Sequence, residues 1–159
     1  MKLLRLVALS SLYVSLCGFV WPTWTTSHSL SQQSVGGAHW LSSEMQLLKH
    51  QARNIDDNVL RLSLIAYLNA HRRGYDNKQL LTVIDYSKPS TDKRLWVFDL
   101  RSGRTLFNTW VSHGKNSGSG THSDSFSNSP GSLKSSLGVF VTDTTYVGHN
   151  GYSLRLRGL

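Results

Sequence analysis

Cysteine is almost absent: the single one, Cys17, lies in an N-terminal stretch from Leu6 to Trp24 that holds no charged residue. A mature chain without that stretch has no thiol, so disulfides cannot staple it and a packed core must hold it. Runs of like charge are also missing. The chain carries 17 basic against 9 acidic residues, a net charge of +8, but Lys88, Lys93, Arg94, Arg101, Arg104, Lys115, Lys134, Arg155 and Arg157 are scattered, and no block of five marks a nucleic-acid arm. The seven histidines include no His-x-His and no His-Glu-x-x-His, so neither a metal nor any other cofactor is expected.

What is present begins with an export signal. Lys2 and Arg5 precede the apolar stretch, giving the n-region and h-region of a secretory signal over residues 1–27. No Ala-x-Ala fixes a cleavage site, and the stretch approaches the ~20 residues that span a bilayer, so membrane attachment is expected only if it stays uncleaved. Trp21 and Trp24 suit an interfacial belt. Leu16 stands where a lipoprotein signal has a small residue, so Cys17 reads as an ordinary signal-peptide thiol. Removing Lys2 and Arg5 lowers the net charge to +6, which still favours polyanions such as an anionic cell-wall polymer, anionic lipid or nucleic acid.

Residues 28–40 are rich in Ser, Gln and Gly and read as a linker that buries too little to offset its ordering entropy. Residues 41–75 form a helical segment: Met45, Leu48, Ala52 and Ile55 recur at helical spacing, as do Leu60, Leu64, Tyr67 and Leu68. Asp56-Asp57 favours the second helix start, and Gly74 closes that helix after Arg72-Arg73. Beyond Asp76 the content turns β-branched and aromatic, with strands expected at Leu80–Tyr86, Leu95–Leu100 and Thr105–Ser112. Gly103 supplies the positive φ that the second hairpin needs. Gly114 to Ser132 reads as a long irregular loop anchored by Phe126 and Leu133. Further strands are expected at Ser136–Thr142, at Tyr146-Val147 and from Tyr152, with His149-Asn150-Gly151 as a turn. Tyr152, Leu154 and Leu156 then form an apolar face opposite Ser153, Arg155 and Arg157.

Short motifs add little. Gly114-Lys115-Asn116 lacks the earlier glycine and the following hydroxyl of a phosphate loop, and Gly118-Ser119-Gly120 lacks the third glycine of a dinucleotide fingerprint. Ser112-His113-Gly114-Lys115 fits Ser-x-x-Lys, and Ser123-Asp124-Ser125 nearly gives Ser-Asp-Asn. That chemistry needs Ser and Lys on one helical turn, whereas these residues follow a strand. His113, His122 and His149 lie in or beside loops, where hydrogen-bonding or solvated histidines are the common outcome.

Several blocks in order are more specific than any of these. Val83-Ile84-Asp85-Tyr86-Ser87-Lys88-Pro89-Ser90, Lys93-Arg94-Leu95-Trp96-Val97-Phe98-Asp99-Leu100, Val111-Ser112-His113-Gly114-Lys115-Asn116-Ser117-Gly118, Phe126-Ser127-Asn128-Ser129-Pro130-Gly131-Ser132, Ser135-Ser136-Leu137-Gly138 and the closing Gly151 to Leu159 run resemble the murein L,D-transpeptidase (YkuD-like) catalytic domain family over residues 80–159. The resemblance implies an α+β protein, a helical segment followed by an incomplete, mostly antiparallel β sandwich. It implies export to the periplasm or cell envelope, and peptidoglycan peptide stems as partners, with no nucleic acid. The implied reaction is acyl transfer, in which a cysteine of a Ser-x-Gly-Cys segment, assisted by a histidine of a His-Gly segment, attacks a stem carbonyl. Both segments are expected beyond Leu159, since Lys115-Asn116-Ser117-Gly118 places His113-Gly114 in an earlier loop of the family.

No catalytic residue is therefore assigned. His113, Lys115, Ser136 and Tyr152 are the substrate-binding candidates, because loop and strand ends surround such clefts. The expectation is a truncated enzyme that is inactive as it stands, with an unprotected final strand that promotes aggregation. The alternatives are a non-catalytic basic protein bound to peptidoglycan, and a serine acyltransferase using Ser112 and Lys115.

Overall fold

The computed structural model describes residues 34–149 and 151–159. The signal segment and Cys17 lie outside the described residues. Two helices, α1 (Trp40–Gln51) and α2 (Asp57–Arg72), precede five strands, β1 (Leu80–Ile84), β2 (Leu95–Asp99), β3 (Arg104–Thr109), β4 (Phe140–Gly148) and β5 (Gly151–Gly158). All pairings are antiparallel, giving one sheet in the order β1-β2-β3 and a separate β4-β5 hairpin. This is the α+β arrangement of helices followed by antiparallel strands. Among the described residues no helix is long and apolar enough to cross a membrane.

The helical spacing of the sequence becomes the core. Leu48, Ala52, Ile55, Leu60, Leu64 and Tyr67 are buried with Val83, Trp96, Phe98 and Leu100 of the sheet, and Val35, ahead of α1, packs against the same cluster. Trp40 opens α1 stacked on Tyr67, centroids 6.0 Å apart. Asp56 caps α2 by accepting from the Asn58 and Val59 N–H groups, a cap worth about 1 kcal/mol. Gln51 ties α1 to the β2–β3 turn with both ends of its amide, donating to the Gly103 carbonyl and accepting from the Thr105 N–H. Gly103 has φ +61° there, and a Cβ would press on Leu47.

Strand boundaries differ from the sequence reading: β1 stops at Ile84 and β3 at Thr109, short of the expected Tyr86 and Ser112. Residues 136–139 are irregular, because Asn128 satisfies Leu137 with both ends of its side-chain amide and so replaces a partner strand. The segment around Tyr146-Val147 is no separate strand. It joins β4, whose register shifts between Thr142 and Thr145. The alternation expected of β5 does not produce a buried face: Leu154 is 47% exposed and Leu156 60%. The hairpin's apolar residues stay largely exposed, and Arg157 lies 5.6 Å from the Tyr75 ring centroid.

An isolated two-stranded hairpin is marginal in water. Backbone amides of β4 and β5 are therefore expected to exchange with deuterium much faster than those of β2, which pairs on both edges; equal protection would contradict this.

At the C-terminal end of α2 lies a partly buried titratable cluster. Tyr67 donates to Asp76 Oδ2 at 2.7 Å, and burial, then that bond, push the phenol up. Burial also opposes ionisation of Asp76, but Tyr67, the Lys78 N–H, His71 and the Gln79 N–H together hold its carboxyl below the ordinary value. Glu44 has no such support: it is buried, its Oε2 has no partner, and burial pushes its carboxyl up to about 7. The folded state then holds a proton that the unfolded chain releases above 4.5. Stability from this group is complete below that pH and falls as pH rises to about 7. Glu44→Gln is expected to remove that slope and to stabilise the protein at pH 8 by up to roughly 3 kcal/mol, at about 1.4 kcal/mol per unit. Denaturant unfolding of both forms at pH 4.5 and 8 checks it.

Candidate functional site

Strand alternation puts Arg94 on the core face. It directly precedes β2, in line with buried Trp96 and Phe98, so its guanidinium is fully buried. A buried charge is costly unless every donor is used. Here Nη1 donates to the Lys88 carbonyl at 2.7 Å, Nε to the Val111 carbonyl at 3.1 Å, and Nη2 to His113 Nδ1 at 3.1 Å, with the Tyr86 ring 5.0 Å away. Arginine can only donate, so His113 Nδ1 accepts and the ring proton resides on Nε2. The half-buried His113 is thereby fixed in both position and tautomer.

From Trp110 to Val139 the chain has no helix or strand, yet it is not loose. Its two arms run beside each other: Gly114 N–H donates to Ser135 Oγ, Asn116 N–H to the Leu133 carbonyl, and Ser135 N–H to Ser117 Oγ. Ser117 is fully buried, and its carbonyl accepts from both Asp124 and Ser125. A Cβ on Gly114 would lie 2.6 Å from the Leu133 carbonyl oxygen, and one on Gly118 2.3 Å from that of His122. Leu133 itself is held at φ +57°, a left-handed conformation costing a non-glycine residue about 1 kcal/mol or more. Phe126 anchors the loop against Tyr86, centroids 5.8 Å apart.

Of the sequence candidates, His113 and Lys115 lie on one arm and Ser136 on the other, its hydroxyl donating to the Ser127 carbonyl. Lys115 is exposed. Tyr152 lies on β5 opposite Val147 and is 79% exposed, with nothing joining it to the other three. Ser112 and Lys115 do not share a helical turn. The lysine that meets a serine is Lys134, which donates to Ser125 Oγ at 2.6 Å. Among the described residues no three metal-ligating side chains come together. Sequence reasoning missed Arg94 and Ser117 as organisers. The period of two that puts Arg94 in line with Trp96 and Phe98 is the signal that could have found it, but no local signal marks Ser117.

The family model for the L,D-transpeptidase catalytic domain matches residues 51–159, more than half of the chain, and the chain belongs to that family. The match starts at the end of α1 and so includes α2. No curated protein and no solved structure matches. The family acts on peptidoglycan, and its domains are generally those of cell-envelope enzymes.

Arg94→Lys keeps the charge but cannot span three acceptors, and is expected to cost about 3 kcal/mol in denaturant unfolding, as when a buried ionic network is broken. Gly118→Ala should instead disorder the loop, read as lost dispersion of the Ser117, Asp124 and Ser125 amide resonances while those of β2 persist.

Proposed function

We propose that residues 51–159 form the scaffold and part of the stem-binding wall of a peptidoglycan L,D-transpeptidase, with His113, Lys115, Ser136 and Tyr152 as substrate-facing residues. The family match over this range carries the reading. Its support from geometry is the fixed His113 and the ordered loop arms, which present polar groups and backbone amides suited to a peptide. In the reaction the family performs, a thiolate adds to a stem carbonyl, the terminal residue leaves with its amine, and a second amine displaces the thioester and frees the thiol.

The chain's one cysteine, Cys17, lies outside the matched range. These 159 residues are therefore proposed to lack that acyl transfer. Incubated with tetrapeptide muropeptides, the exported chain is expected to give no cross-linked or trimmed product by mass spectrometry. Turnover by the chain, persisting in Cys17→Ser, would overturn the proposal and favour a serine route.

A binding role is a second reading, motivated by the net charge of +8 and by exposed cations such as Lys115, Arg155 and Arg157. Co-sedimentation with purified sacculi at low salt, lost at about 1 M where the screening length is ~3 Å, is expected on that view. No sedimentation at low salt excludes it.

A further inference from the structure

We propose that the cleft between the α1–α2 connection and the β1–β2 turn binds a primary ammonium group. The cleft is open, with a volume of about 780 Å³, and is lined by Lys49, Asp56 and Asp57 on one side and Asp85, Lys88 and Asp92 on the other. In a chain so basic, four of its nine acidic residues meet here.

The carboxylates are not equivalent. Asp57 is paired with Lys49, which also donates to the Ile55 carbonyl. Asp56 is occupied as the α2 cap through Oδ1. Asp85 is 2% exposed; its Oδ1 accepts from both the Ser87 N–H and hydroxyl, and its Oδ2 has no hydrogen-bond partner. The natural partner stands close by. Asp85 N–H donates to the Arg94 carbonyl, extending the β1–β2 register so that the two side chains start on one face. Each guanidinium nitrogen of Arg94, however, is hydrogen-bonded elsewhere, to Lys88, Val111 and His113, and none to Asp85 Oδ2. A buried oxygen of a carboxylate that lines the cleft is thus left without a donor, which costs the full desolvation of that atom until one arrives.

The donor is defined by what the cleft lacks. Hard divalent cations need six or more oxygens at close range, and among the described residues no three ligating side chains converge. A guanidinium binds best to both oxygens of one carboxylate, and Asp85 has one free. An ammonium is a point charge with three donors, able to meet Oδ2 and turn its other N–H bonds toward Asp92 and water. The group is an alkylammonium, free or on a peptide side chain.

The test is amide chemical-shift titration of the full chain with n-butylammonium chloride, with n-butanol and calcium chloride as controls. A lysyl peptide and its Nε-acetylated form distinguish a peptide source from a free amine. Saturable shifts at Asp85, Ser87, Lys88 and Asn58 are expected with the ammonium ligands and with neither butanol nor the acetylated peptide. Asp85→Asn keeps the acceptor for Ser87 but can present an N–H₂ group in place of Oδ2, and should weaken binding about tenfold or more. Asp92→Asn, at an exposed position, should weaken it less. Unaltered affinity in a folded Asp85→Asn, equal shifts with calcium, or no saturable shift in the unmodified chain would each overturn the proposal. None of these outcomes bears on the transpeptidase reading.

Discussion

A buried cation whose three nitrogens are each hydrogen-bonded organises one end of this molecule. Arg94 emerges from the core face of the central strand, where water cannot solvate it, so its donors must find acceptors in the protein. They find the Lys88 carbonyl in the β1–β2 turn, the Val111 carbonyl after β3, and the His113 ring at the head of the long loop. One side chain thereby holds together three segments that no ladder of strand hydrogen bonds connects. The position of His113 and the entry angle of the loop both follow from it.

The loop beyond depends on small residues rather than on apolar mass. Ser117 uses its hydroxyl and carbonyl to gather both arms, and Gly114 and Gly118 permit backbone to approach backbone where a single methyl would collide. Serine and glycine abundance, which in the sequence resembles mere flexibility, becomes a hydrogen-bonded scaffold. The exposed hairpin β4–β5 presents the opposite case: its apolar residues follow strand periodicity but stay largely exposed.

Much of the architecture was legible before any coordinates. The spacing of Leu48, Ala52, Leu60 and Leu64 gave the helices, Asp56 and Gly74 bounded the second, and the aromatic content around Trp96 and Phe98 gave the central strand. The site was less so. His113 and Lys115 read as loop residues and Ser136 as a strand end, and the two arms that carry them do pair; Tyr152 lies apart from them. The strand expected at Ser136 gave way to an irregular segment because the Asn128 side chain, nine residues distant, satisfies its backbone. Propensity has no access to that competition.

The sequence alone determined the helices, the ends of α2 and the family, because those depend on neighbours within a few residues or on blocks conveyed in order. Only the tertiary structure decided which polar groups are buried and what they meet. The acceptors of Arg94 lie 6, 17 and 19 residues away, Glu44 loses water only when α1 packs, and the free oxygen of Asp85 arises because its cross-strand neighbour turns elsewhere. Desolvation is a property of the closed chain, and so the charges that matter most were those that local pattern could not rank.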